Sequence, residues 1–235
     1  MLKLAEGAAL DKALYGGGAA AAAAAAPRPP PVLEETCALF AGIARGLAYM
    51  HSRGVAHNDL KAANVLLDER GNPMLADFGL IKSIRAALPG TFAAMMAARG
   101  VGPQGVGLLG SLEWTAPENF FEENNPDYGQ PPADVYSLGM VGFELVARAP
   151  PWRGLNSGQV LEAVRAGRRP QLPAGLDARL KGIIEDCWKQ APAARPSAVD
   201  VQMRLQAIAG SAGARPAAAA AARRGGGGGG GRGRP

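Results

Sequence analysis

Leu33, Cys37, Phe40, Ile43, Leu47 and Met50 recur every three or four positions, laying one apolar stripe along a helix from residue 32 to about residue 52. Gly54 ends it. Two short apolar runs, 65–67 and 74–76, flank a polar turn at 68–73 and predict a tight hairpin. Residues 134–146 are almost continuously apolar, which predicts a buried central helix stopped by Pro150-Pro151-Trp152. Shorter helices are expected at 157–166 and 176–188, the second with Leu180, Ile183, Ile184 and Cys187 on its inner face. Ser197, with Asp200 three residues on, predicts the N-cap of a final helix, worth about 1 kcal/mol. The pattern describes a mainly α domain with short β hairpins.

Composition trims this picture at both ends. Residues 16–31 are an Ala/Gly/Pro tract, and residues 210–235 hold Ala, Gly, Arg and Pro with little to bury, so both are expected to lie outside the core without regular structure. The expected organisation is therefore a lead segment at 1–15, the low-complexity insertion, a folded body at 32–209 and the tail.

The net charge of +5 changes little once it is located. Arg215, Arg223, Arg224, Arg232 and Arg234 all sit in the tail, which has no acid, and they account for the whole excess. An Arg/Gly tail can bind phosphate backbones, but this one lacks interleaved aromatic residues, so a solvated tail is favoured over a nucleic-acid site. Cys37 and Cys187 are far apart and lack metal-ligand spacing; they are expected as small buried hydrophobes. No apolar run is long enough to span a bilayer, and Lys3, Glu6, Asp11 and Lys12 interrupt any secretory core. The expected location is the cytoplasm or nucleus, with no membrane partner.

The densest chemistry lies in His57-Asn58-Asp59-Leu60-Lys61-Ala62-Ala63-Asn64, followed after the hairpin by Asp77-Phe78-Gly79. A polar loop delivers an acid, a cation and an amide; a strand and a second acid follow. Asp59 can orient a hydroxyl and accept its proton, and Lys61 can meet a transferring phosphate as a point charge. Asn64 and Asp77 offer the hard oxygen ligands that Mg²⁺ prefers. The set suits phosphoryl transfer from a metal nucleotide, where positioning and charge neutralisation do most of the catalysis.

These residues resemble the catalytic loop and metal-binding triplet of the protein kinase family. Ala116-Pro117-Glu118 is similar to its second landmark, which makes 77–118 an activation segment with a flexible insertion. Gly100-Val101-Gly102-Pro103-Gln104-Gly105 formally matches a phosphate-binding glycine motif, but it follows the catalytic loop instead of preceding it, so that function is rejected. The resemblance implies that the cofactors are ATP and Mg²⁺. It implies catalytic roles for Asp59, Lys61 and Asn64, metal ligation by Asn64 and Asp77, and nucleotide contacts from Leu4, Ala5 and Leu66 besides Lys61, Asn64 and Asp77. It also implies that His57 is structural, that Asp134 holds the catalytic-loop backbone and that Arg195 pairs with Glu118. Lys61 and Gly110-Ser111 with Trp114 favour protein Ser/Thr substrates, while the Trp114-Thr115 pair leans slightly the other way; the surroundings of Trp114 and Trp188 resemble the tyrosine-kinase-like group of Ser/Thr kinases.

The resemblance covers about residues 2–209, the family's C-terminal lobe. The Gly-rich loop, phosphate-holding Lys and orienting Glu of an N-terminal lobe have no candidate ahead of Asp59, where the lysines are Lys3 and Lys12. This implies a kinase lobe with its N-terminal partner missing, inactive in isolation, and an exposed inter-lobe surface open to a partner. Asn58 stands where most regulated relatives carry Arg, so any activity is not expected to need phosphorylation at Ser83 or Thr91. Three functions follow: a fragment of a protein Ser/Thr kinase, a kinase-derived binding scaffold without catalysis, or a lobe that merely carries the Arg/Gly tail. The intact catalytic set favours the first.

Overall fold

The computed structural model describes residues 8–16, 32–77, 82–83, 112–121 and 129–224. Within them the chain runs through helices α1 (Leu10–Tyr15) and α2 (Leu33–Ser52), then strands β1 (Val55–Ala56), β2 (Val65–Leu67), β3 (Pro73–Leu75) and β4 (Lys82–Ser83). Helices α3 (Glu118–Phe121), α4 (Pro131–Ala147), α5 (Ser157–Arg165), α6 (Ala178–Cys187) and α7 (Ala198–Arg224) follow. Single 3₁₀ turns occupy Ala62–Asn64, Leu112–Trp114 and Pro192–Ala194. The described part is thus mostly helical with few strands.

Helix α4 is the pillar. Every residue from Ala133 to Val146 is buried, as its apolar sequence requires. Two glycines set how closely its neighbours approach. A Cβ built on Gly142 would lie 2.7 Å from Phe40 of α2, and one on Gly139 would lie 2.8 Å from the Cβ of Cys187 in α6. The helix begins at Pro131, where a missing N–H costs nothing.

Helix α2 buries Cys37, Phe40, Ile43 and Leu47, four of the six stripe positions, with Phe40 against Gly142 of the pillar. Two glycines in α2 seat the hairpin: Cβ atoms at Gly42 and Gly46 would lie 2.6 Å from Pro73 and 3.1 Å from Leu75. Gly54, at φ 71°, turns the chain out of α2 in the left-handed region where glycine is unstrained. Strands β2 and β3 pair antiparallel, Val65 with Leu75 and Leu67 with Pro73. Asp68 closes their turn by accepting the backbone N–H groups of Arg70 and Asn72 at 2.9 and 2.7 Å. Strand β1 pairs with β4, Val55 with Ser83 and Ala56 with Lys82, and so holds the start of the segment after Asp77 against the end of α2.

Ser197 and Asp200 form the expected reciprocal cap of α7, with Asp200 N–H donating to Ser197 Oγ at 3.1 Å and Ser197 N–H to Asp200 Oδ2 at 3.2 Å. This helix does not stop near residue 209, where composition alone ends the body. Its backbone continues to Arg224. Alanine has the highest helix propensity, and Ala217 to Ala222 carries the helix up to a run of glycines. The insertion at 17–31 and the glycine motif at 100–105 lie outside the described residues. Cys37 and Cys187 are buried free thiols whose pKa values burial pushes up to about 11 and about 12. Among the described residues, no helix is long and apolar enough to cross a membrane.

Candidate functional site

The loop after β1 is held from beneath by α4. Asp134 is fully buried, and its Oδ2 accepts the N–H of His57 at 2.8 Å while its Oδ1 accepts that of Asn58 at 2.7 Å. His51, at the end of α2, donates its Nε2–H to the same Oδ2 at 2.8 Å. A carboxylate with three donors is compensated for leaving water, which makes a buried acid tolerable here. His51 thus serves the anchor of the loop.

His57 is buried and bound at both ring nitrogens. Its Nδ1 accepts the N–H of Asp59 at 3.3 Å, and its Nε2 donates to the carbonyl of Ala76 at 3.2 Å. The imidazole thus links the loop to the residue just before Asp77. Asn58 and Asp77 lie in the left-handed region, at φ 62° and 58°. Asn and Asp are among the few side-chain-bearing residues that adopt this conformation readily. Both bends flank the groups expected to do chemistry.

Three of these groups meet directly. Lys61 Nζ lies 3.2 Å from Asp59 Oδ2, with both side chains largely buried. Asn64 Nδ2 donates to the carbonyl of Asp59 at 2.7 Å and to its Oδ2 at 3.0 Å. The amide nitrogen is committed to residue 59, so the carbonyl oxygen is the hard donor left for a cation. Backbone pairing brings Asp77 alongside: Ala76 N–H donates to the carbonyl of Asn64 at 2.9 Å, and the next residue, Asp77, is exposed.

Leu66, half-buried in β2, is bridged to Ala9, and Leu67 N–H donates to the carbonyl of Ala8 at 3.2 Å. The segment entering α1 therefore runs beside this strand. Leu4 and Ala5, expected at the nucleotide, lie outside the described residues, as do Phe78 and Gly79.

These donors fit a magnesium nucleotide. Mg²⁺ takes one or two protein oxygens and fills its octahedron with water and phosphate. An amide oxygen and an exposed carboxylate on adjoining backbone suffice, and no cluster of three acids is needed or found among the described residues.

Below the loop, Arg195 makes a two-pronged pair with Glu118, Nη1 to Oε1 at 2.6 Å and Nη2 to Oε2 at 2.8 Å, with side chains 0% and 4% exposed. This is the tie expected between these residues. It fixes the end of the 77–118 segment to the front of α7.

Sequence reasoning missed Glu144. This acid on α4 is fully buried and accepts from Tyr15 Oη at 2.8 Å, Trp114 Nε1 at 2.7 Å and Ala62 N–H at 3.1 Å. Burial pushes its carboxyl up to about 7, against the opposing pull of those hydrogen bonds. The signal was available: an acid flanked by apolar residues in a buried helix must find donors somewhere. Asn58 was noted for its identity but not for its setting. Both ends of its amide are buried without a partner among the described residues, beside a small cavity that Asp59, Trp114 and Ser137 also line.

The sequence profile of the protein kinase domain matches residues 30–204. Serine/threonine-protein kinase CTR1 of Arabidopsis thaliana is 33% identical over 173 residues, 72% of this chain and 19% of the relative. Serine/threonine-protein kinase dst3 of Dictyostelium discoideum is 34% identical over 167 residues, 70% of this chain and 26% of the relative. The RGS domain-containing serine/threonine-protein kinase A of the same organism is 30% identical, over 71% of this chain and 13% of its own length. The chain spans a small part, about a tenth to a quarter, of the length of these curated relatives.

Proposed function

Because this chain belongs to the protein kinase family, we propose that it carries the catalytic-loop half of a site for ATP-dependent phosphoryl transfer to Ser or Thr of a protein. The observation that carries the proposal is the meeting of Asp59, Lys61 and Asn64 within hydrogen-bond reach of one carboxylate. The serine/threonine names of the relatives support the substrate class.

Asp59 orients the substrate hydroxyl and accepts its proton. Lys61 holds a positive charge beside that carboxylate, where the transferred phosphoryl group passes. Asn64, through its oxygen, and Asp77 would hold Mg²⁺, which when bound with ATP neutralises charge on the phosphate oxygens. Leu66 offers an apolar floor to the base, and the family resemblance adds Leu4 and Ala5 as further nucleotide contacts. His57 and Asp134 act by fixing the loop that carries these groups.

The 235 residues hold no candidate for the Gly-rich loop, Lys or Glu with which the family clamps the nucleotide from above. This chain alone therefore binds nucleotide weakly, and a thermal shift with Mg²⁺ and ATP should be small or absent. A second function is a kinase-derived scaffold that meets a partner through an exposed apolar position such as Met74 on β3, which pairs with Leu66 and is 47% exposed.

The deciding experiment is transfer of labelled phosphate from ATP to Ser/Thr and Tyr peptides by the longest natural form of the protein. Transfer to Ser/Thr that is lost with Asp59→Asn supports the kinase. Folded protein without transfer supports the scaffold.

A further inference from the structure

Glu144 collects donors from three separate pieces of chain. Tyr15 belongs to α1, Trp114 to the turn that precedes Ala116-Pro117-Glu118, and Ala62 to the loop, next to Lys61. Oε1 accepts from Tyr15, and Oε2 accepts from both Trp114 and Ala62. All three partners are neutral.

The donors differ in what they can do when the acid gains a proton. An indole N–H and a backbone N–H only donate, whereas a phenol hydroxyl donates or accepts. A protonated Glu144 must place its own hydrogen on an acceptor, and among these partners Tyr15 is the one able to receive it. The Glu144–Tyr15 hydrogen bond would reverse direction. Those from Trp114 and Ala62 would stay, weakened from charge-assisted to ordinary strength.

We propose that Glu144 is a proton-responsive positioning residue, which locks the Lys61-bearing loop to the Trp114 turn when ionised and loosens both when it takes up a proton through reversal of its bond with Tyr15. Calling Lys61 part of a working site rests on the function proposed above; the latch itself does not.

Other charged and titratable groups constrain the idea. From α1, Asp11 adds a like charge that disfavours ionisation of Glu144. From the 112–114 turn, Glu113 acts in the same sense on Tyr15. The faces of α2 and α6 against this stretch of α4 present Phe40 and Ile184 at Gly142, and Cys187, whose thiol burial keeps protonated, at Gly139. His51 and His57 cluster at Asp134.

The test is a ¹⁵N nuclear magnetic resonance titration of the full chain between pH 5.5 and 8.5, without nucleotide. The Trp114 indole and Ala62 amide resonances should move together with one midpoint near 7. The Lys61 amide and Asn64 side-chain amide should follow with the same midpoint, which a merely structural acid would not produce. Glu144→Gln presents an oxygen to Trp114 and Ala62 and an N–H to Tyr15, so it imitates the protonated state. Its four resonances should stay at their acidic limits throughout. A second variant, Trp114→Phe, removes a donor that favours the ionised form, and the midpoint read at Ala62 should move upward. Static resonances in the native chain, movement that persists in Glu144→Gln or an unmoved midpoint in Trp114→Phe would each overturn the proposal. No readout depends on phosphoryl transfer, so failure of the kinase function would leave the result intact.

Discussion

The carboxylate of Asp134 meets the backbone N–H of Asn58 at 2.7 Å across 76 residues of chain. With the bonds from His57 and His51, this pins the loop to the most buried helix of the fold. Hydrogen bonds to a charged group contribute about 1.5–3 kcal/mol each, and donors left buried without partners add a penalty. Asp134→Ala should therefore destabilise the chain by about 3 kcal/mol or more in urea unfolding. A loss below about 1 kcal/mol would mean that the loop stands without its anchor.

Arg195 and Glu118 form a buried pair of the kind whose disruption is costly from one side only. Arg195→Leu leaves a buried carboxylate uncompensated and should cost about 3–5 kcal/mol. The double variant Glu118→Leu with Arg195→Leu should recover much of that loss, because no charge is then stranded. A double-mutant cycle measures the difference.

Gly142 sits where α2 and α6 both press on α4. A methyl group there would lie 2.7 Å from the Phe40 ring and 3.0 Å from Ile184. Overpacking of this kind costs about 1–3 kcal/mol. Gly142→Ala should lower the unfolding midpoint accordingly, despite alanine's better helix propensity; a stabilised variant would contradict the close approach.

Glu144 gives stability a pH dependence of a stated sign. Its folded pKa is raised from 4.5 to about 7, so the fold holds the proton more tightly than the unfolded chain does. The contribution is fully present below 4.5 and is lost as pH rises through 7, an effect of about 3 kcal/mol. Glu144→Gln should remove this slope. At pH 8 it should be at least as stable as the native chain, with the advantage shrinking as the pH falls toward 5. Urea titrations at several pH values read this directly.

Local patterns were legible in the sequence where local physics decides them. The stripe from Leu33 to Met50 marks α2 because period alone picks out a buried face, and the Ser197–Asp200 cap lies within one turn. The pairing of Arg195 with Glu118 spans 77 residues, and no periodicity could supply it; the family resemblance did. Glu144 had neither route. Its donors lie 129, 82 and 30 residues away, and its neighbours in sequence are apolar, so only the fold reveals what it holds. The opposite error occurred in α7. Composition argued against structure where little could be buried, yet helix formation needs only backbone bonds, and alanines favour them.

Asn64 and Asp77 are proposed to form a metal-nucleotide half-site beside Asp59. Paramagnetic broadening by Mn²⁺ with ATP, read in the ¹⁵N spectrum of this chain, tests it most directly. Selective loss of the Asn64 side-chain signals and of the amides at residues 76 and 77 is the expected result. Asp77→Asn, which keeps the left-handed backbone but not the charge, should restore them. Broadening centred elsewhere, or unchanged in Asp77→Asn, would contradict it.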